Sequence, residues 1–163
     1  MSKDFVSVEN LSKVYPSASG AVTVFDNVNI GIKKGEFVCI IGHSGCGKST
    51  IMNILAGLDE PTSGSVIMDG KEISGPSLDR GVVFQNYSLL PWLTTLQNVS
   101  FGVAARNPSW SKVKVDEHSA HYLDMVGLSA ALKKKPSELS GGMRQRVSIA
   151  RAFATSPKLL LLD

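Results

Sequence analysis

Gly42-His43-Ser44-Gly45-Cys46-Gly47-Lys48-Ser49-Thr50 fits the pattern G-x-x-x-x-G-K-[ST] at every required position. Upstream, Phe37-Val38-Cys39-Ile40-Ile41 is an apolar run that predicts a buried parallel strand leading into the loop. Downstream, Ile51, Ile54, Leu55 and Leu58 fall at the spacing of one apolar helix face. Strand, glycine loop and helix together predict a cradle for a polyphosphate. Glycines let successive backbone N–H groups turn inward and approach an anion closely. The helix N-terminus adds unpaired donors and partial positive charge. Lys48 is then placed to reach the β- and γ-phosphates, and the Ser49 hydroxyl to ligate Mg²⁺. A chance glycine turn would not need the flanking strand and helix. The stretch therefore predicts a nucleoside triphosphate ligand.

The rest of the composition is that of an ordinary globular domain: 163 residues, 43% hydrophobic and 19% charged. A net charge of +3, scattered along the chain, does not argue for nucleic acid as a partner. Lys133-Lys134-Lys135 before Pro136 reads as a solvated loop. Cys39, in the expected strand, and Cys46, in the glycine loop, suggest reduced thiols and no disulfide framework. No stretch reaches the roughly 18 apolar residues that span a bilayer, and no signal-peptide pattern is seen, so a membrane role is expected to run through a partner.

From the start of the chain, Phe5-Val6-Ser7-Val8 alternates as a half-buried strand and Leu11 to Tyr15 continues extended. Pro16 to Gly20 reads as loop, and Val22–Phe25 and Val28–Ile32 as two short strands. Tyr15 fits either a surface or packing role, or a base-stacking one. Several short strands ahead of the first long helix predict a small antiparallel sheet beside a parallel core. Ser65 to Asp69 is a strand, and Asp69-Gly70 signals a hairpin into Lys71-Glu72-Ile73. Gly81-Val82-Val83-Phe84 is a second buried strand, ending at Gln85. A residue there stands where ligands bind in open α/β sheets, or is simply a surface amide.

Helices dominate the remainder. Thr94 or Thr95 caps one that runs to Ala105. Val115, Ser119, Tyr122 and Val126 mark another, stopped by Gly127. Leu89-Leu90-Pro91-Trp92-Leu93 is either buried or a docking surface. Leu139-Ser140-Gly141-Gly142 opens a helix with the stripe Met143, Val147, Ala150 and Ala154. With Ser140 as N-cap, its start is a second anion-receiving helix terminus or a plain glycine turn. Lys158 to Asp163 is an apolar strand ending in a carboxylate, the form of an Mg²⁺-holding aspartate.

Taken together, the phosphate loop, Leu139-Ser140-Gly141-Gly142 and the strand ending at Asp163 resemble the nucleotide-binding domain of ATP-binding cassette (ABC) proteins along the whole chain. The resemblance implies an α/β phosphate-loop (RecA-like) core, an N-terminal antiparallel β subdomain and a helical insertion at about residues 87–150, within one domain over 1–163. It implies ATP and Mg²⁺ as cofactors. Tyr15 becomes the adenine-stacking aromatic, for which Tyr15→Phe is expected to be nearly silent. Gln85 becomes the glutamine that meets Mg²⁺ and the attacking water. Ser140, Gly141 and Gly142 become the motif that reaches a second subunit's γ-phosphate. Lys48, Gln85 and Asp163 become the catalytic set, with Ser49, Gln85 and Asp163 around the metal. Met143 departs from the family's usual glutamine. Backbone donors and Ser140 carry that contact, so the departure is given little weight.

Ser74-Gly75-Pro76, Asp79 to Gln85 and Leu90-Pro91-Trp92-Leu93-Thr94 are similar to the ATP-binding subunits of bacterial nitrate, sulfonate and taurine importers. Asn86 to Trp92 tilts the resemblance toward the nitrate branch. It implies permease subunits, a periplasmic or lipid-anchored substrate-binding protein and a second ATP-binding subunit as partners. It also implies a peripheral place on the cytoplasmic side of the plasma membrane. The family's glutamate after the Asp163 position and its later strands have no counterpart in this sequence, so the domain is expected to be C-terminally truncated and the chain by itself not to turn over ATP. A nucleotide-binding module without ATPase activity and a non-transport ABC ATPase remain the other readings.

Overall fold

Alternating apolar residues at the start of Val6–Ser17 (β1) make it an inner strand of the N-terminal sheet: Val6 and Val8 are buried with Ser7 only partly so, and Leu11, Ser12 and Lys13 are buried together further on. The computed structural model describes residues 4–18 and 20–163. Two compact units divide the chain, one ending at Ser77 and one beginning at Leu78.

In the first unit β1 pairs antiparallel with Gly20–Ile32 (β2) on one side and Ser63–Met68 (β3) on the other, and β3 pairs with Lys71–Glu72 (β4). The expected loop at 16–20 is tighter than composition suggested, since Pro16 pairs with Ala21 and Ser17 with Gly20; Ser19 lies outside the described residues. The two strands expected between Val22 and Ile32 are one, kinked at Asn27, whose φ of 52° is left-handed. Ser12 makes that kink affordable in polar terms: its Oγ accepts from the Asn27 N–H at 3.0 Å and donates to Asp26 Oδ1 at 2.6 Å. Asp69 and Gly70 both have positive φ, 53° and 77°, the backbone a two-residue hairpin demands.

Lys48–Ala56 (α1) buries Ile51, Ile54 and Leu55 as its periodicity predicts, but it ends against Gly57 at φ 76°, so Leu58 lies beyond it and is half-exposed. The strand expected at Phe37–Ile41 is not formed. A buried parallel strand needs a hydrogen-bonding neighbour for its N–H and C=O groups. Among the described residues none pairs with this stretch, which runs irregularly with Phe37 83% and Ile41 93% exposed.

The second unit holds the parallel pair Arg80–Val83 (β5) and Leu159–Leu162 (β6), in register from Arg80 opposite Leu159 to Val83 opposite Leu162. Thr95–Arg106 (α2), Lys112–Met125 (α3) and Gly141–Ala154 (α4) surround a core that includes Val99, Val103, Val115, Leu123, Val147 and Ala150. Thr94 caps α2 through a full capping box with Gln97, and Ser140 caps α4 by accepting from the Met143 N–H. Among the described residues no helix is long and apolar enough to cross a membrane.

Candidate nucleotide-binding site

The glycine pattern of the loop is required by its backbone. Gly45 and Gly47 have φ of 82° and 95°, in the left-handed region. Gly47 is constrained twice, because a Cβ there would meet Val24 Cγ1 at 2.6 Å. A Cβ on Gly42 would meet Cys46 Sγ at 2.6 Å. Gly47 is also the N-cap of α1 and offers no side-chain acceptor, so no side chain caps the helix's first N–H groups. Lys48 folds back along the loop, its Nζ donating to the carbonyls of Gly42 and His43 at 2.8 Å each. The His43 ring turns to its neighbour, Nδ1 donating to the Ser44 carbonyl at 2.9 Å. Left-handed glycines, one ammonium lying along the loop and a helix start without a side-chain cap have the charge and the donors that a triphosphate would engage.

Tyr15, on β1 in the same unit, is 41% exposed, and its hydroxyl donates to Asp59 Oδ2 at 2.6 Å. Asp59 follows α1 directly, and its carboxyl is held below the ordinary range, chiefly by the hydrogen bond from Lys13 and then by that from Tyr15.

In the second unit the register of β5 and β6 decides the geometry. Val83 stands opposite Leu162, so Gln85 and Asp163 leave the same carboxyl edge of the parallel pair, where open α/β sheets bind ligands. The Asp163 N–H donates to the Val83 carbonyl at 3.0 Å, which fixes that edge. Gln85 is exposed and opens a turn that passes through Tyr87 and Ser88, both left-handed at φ 64° and 44°. This turn also reaches the start of α4. A Cβ on Gly141 would lie 3.5 Å from the Tyr87 hydroxyl, the Arg144 guanidinium lies 5.7 Å from the Tyr87 ring centre, and Gly142 faces open space. The structure thus gathers Gln85, Asp163 and the Ser140–Gly142 turn within one unit, and Gly42–Thr50 with Tyr15 within the other. The Gln85 amide oxygen and the Asp163 carboxylate in one unit, and the Ser49 hydroxyl in the other, are each hard oxygen donors of the kind Mg²⁺ takes.

Residues 25–163 match the family model described as ABC transporter. The chain belongs to the ABC transporter family. It is 53% identical, over 159 residues, to the bicarbonate transport ATP-binding protein CmpD of Synechocystis sp., an alignment that covers 98% of this chain and 56% of that protein. To the nitrate import ATP-binding protein NrtD of Synechococcus elongatus it is 46% identical, again over 98% of this chain and 58% of the relative. The chain therefore spans a little over half the length of these curated relatives. Among solved structures, the ATP-binding cassette MJ0796 in a dimeric post-hydrolysis state bound to ADP and Pi superposes with a TM-score of 0.90 at 37% identity, over 97% of this chain and 73% of that one. The ABC cassette fold follows from these likenesses.

Two residues of this ABC cassette, Asp59 and Arg151, carried no sequence signal. Each acts on a partner far along the chain: 44 residues separate Asp59 from Tyr15, and 64 separate Arg151 from Tyr87. No local pattern reports such pairings.

Proposed function

We propose that the chain is the ATP-binding part of an ABC importer, coupling Mg-ATP binding and hydrolysis to uptake of a small oxyanion. The observation that carries this reading is the uncapped start of α1 at Gly47, with its left-handed glycine loop and Lys48 lying along it. Such donors are fixed before a triphosphate arrives and cost little reorganisation when charge shifts.

Loop N–H groups and Lys48 hold the β- and γ-phosphates. Ser49, Gln85 and Asp163 would hold Mg²⁺, which when bound neutralises charge on the phosphoryl group. Gln85 orients the attacking water in line with the γ-phosphate. The Ser140 hydroxyl and the Gly141 and Gly142 N–H groups face the γ-phosphate of a second copy, so two chains close head to tail around ATP and part after hydrolysis. Tyr15 stacks on the base.

The relatives are named for bicarbonate and for nitrate, both planar, singly charged, three-oxygen anions. That shared chemistry supports nitrate or an anion of its shape ahead of a sulfonate or taurine. The reading carries permease subunits, a periplasmic or lipid-anchored binding protein and a second ATP-binding subunit as partners, with a peripheral place on the cytoplasmic face of the membrane.

The test joins binding and transport. Lys48→Ala is expected to weaken ATP binding by about 2–4 kcal/mol, the scale for breaking a desolvated charge contact, as read by calorimetry. In vesicles holding the assembled importer, ATP-dependent uptake of nitrate or bicarbonate should appear with the natural chain and not with Lys48→Ala. Normal ATP binding by the variant, or vesicles that accumulate neither anion, would overturn the reading.

A further inference from the structure

Lys13 and Tyr15 stand two residues apart on β1, so both side chains project from the same face of the strand. Lys13 is nearly buried, and its Nζ donates to Asp59 Oδ1 at 2.7 Å and to the Glu60 carbonyl at 2.5 Å. That places the ammonium over the Tyr15 ring, 4.7 Å from its centre. The other oxygen of the same carboxylate, Oδ2, accepts the Tyr15 hydroxyl at 2.6 Å. A planar ring is thereby held at its tip by a carboxylate and covered on one face by a cation. Its remaining surface is open to solvent, as its 41% exposure records. Thr50, on the first turn of the phosphate-loop helix, lies close enough to the Tyr15 phenol to favour its ionised form slightly, so the ring stands beside the helix that carries Lys48 and Ser49.

We propose that Asp59, backed by Lys13, is a positioning residue that orients Tyr15 as a one-sided platform for the purine base of the nucleotide. The proposal rests on the reading of this loop as an ATP site and adds the device that aims the base. A purely structural tie between β1 and the segment after α1 does not need the tyrosine hydroxyl. That tie is already made by the Thr62 N–H to the Ser12 carbonyl at 2.9 Å, by the Val14 N–H to Thr62 Oγ1 at 2.9 Å and by Lys13 to the Glu60 carbonyl. The hydroxyl bond adds one thing to these, a fixed plane for the ring. A ring held in its stacking orientation loses less rotamer freedom when a base arrives. A π-face alone accepts any base, so orientation here serves affinity more than base choice. On this view Tyr15→Phe is not silent.

The experiment measures binding of Mg-ATP and of Mg-tripolyphosphate, which has the phosphates and no base, to the full chain and its variants. Asp59→Asn and Tyr15→Phe should each weaken ATP binding about 3- to 10-fold, the range for one hydrogen bond, and leave tripolyphosphate binding unchanged. Tyr15→Ala should weaken ATP binding roughly 5- to 100-fold, the range for one base–aromatic stack, again without effect on tripolyphosphate. In alkaline absorbance titration the Tyr15 phenol, isolated as the difference from Tyr15→Phe, should titrate above the ordinary tyrosine value, because Asp59 accepts its hydrogen bond, and return toward that value in Asp59→Asn. Full ATP affinity in Asp59→Asn and Tyr15→Phe, with loss confined to Tyr15→Ala, would overturn the positioning role and keep the stacking one. Equal loss of ATP and tripolyphosphate in Asp59→Asn would also overturn it, as a defect of the fold. Normal ATP binding by Tyr15→Ala would sink the stacking reading itself.

Discussion

Asn98, with no exposed surface, holds the backbone of Leu90 at both its polar groups: its Oδ1 accepts from the Leu90 N–H at 2.8 Å and its Nδ2 donates to the Leu90 carbonyl at 3.1 Å. The same Nδ2 shares its donors with the carbonyls of Leu93 and Thr94, at 3.2 and 3.0 Å. One buried amide from α2 therefore stands in for the secondary structure that the 90–94 loop lacks. In Asn98→Ala the Leu90 and Thr94 carbonyls still accept from the Leu93 and Asn98 backbone N–H groups, but the Leu90 N–H and the Leu93 carbonyl lose the amide, so stability should fall by about 2–4 kcal/mol, one to two unmet buried groups. Asn98→Asp, which keeps the acceptor and loses the donors, should be no better at neutral pH. Urea denaturation of the two variants is the check, and full stability in either would show that water replaces the amide.

Trp92 rides on that loop, 67% exposed. Its exposure speaks against the core-packing explanation for this aromatic. Trp92→Ala should change stability by no more than about 0.5 kcal/mol, as for exposed sites generally. On the proposed importer role, it should lower transport while leaving nucleotide binding intact. A large loss of stability in Trp92→Ala would return the residue to the core.

Arg151 gives the Gln85 turn its second support. Its guanidinium donates to the Ser88 carbonyl at 2.8 Å and the Tyr87 carbonyl at 3.1 Å, across a pair of residues held left-handed. Burial pushes its pKa down from the ordinary value. Non-glycine residues resist this backbone by roughly 1–2 kcal/mol each, so a fixed fork is needed to hold the pair. Arg151→Lys presents a point charge where two carbonyls expect a planar fork, and should rescue little of what Arg151→Met loses. Hydrogen exchange at residues 85–88 should quicken in both variants. Unchanged protection there would show that the turn holds itself.

The pH response should be weak and of known sign. The Asp79 carboxyl is held below its ordinary 3.8 by the hydrogen bond from Arg106, 2.7 Å away, with Lys158 and Arg80 adding to the effect. A lowered folded pKa means that the pair stabilises the fold above the ordinary carboxylate value and loses that contribution as pH falls through the folded one. Both partners are about one-third exposed, so Asp79→Asn should cost less than about 1 kcal/mol at pH 7. The gap from the natural chain should narrow as pH falls through 3.8 and close only below the lowered value. Thermal melts across that range decide it. A gap that persists at the acid end would assign the Asp79 side chain a role other than charge.

What the sequence by itself determined are the features whose physics is local. The glycines at 45 and 47 follow from a backbone that must turn left-handed. The caps at Thr94 and Ser140 follow from helix starts that lack acceptors, and the β3–β4 hairpin from Asp69-Gly70. The candidate site residues on these elements, Gly42 to Thr50 and Ser140 to Gly142, were legible as motifs for the same reason. Gln85 and Asp163 were legible only as strand ends; that they share an edge was decided by the pairing of Val83 with Leu162, across a separation no periodicity encodes. Phe37–Ile41 shows the limit from the other side. Its apolar run satisfies every local condition for a strand, yet a strand exists only where another chain segment takes its hydrogen bonds. Tertiary structure likewise decided the partners of Tyr15, Asn98 and Arg151, because a side chain's hydrogen bonds depend on what folding carries to it, and residue type alone names only how many it can make.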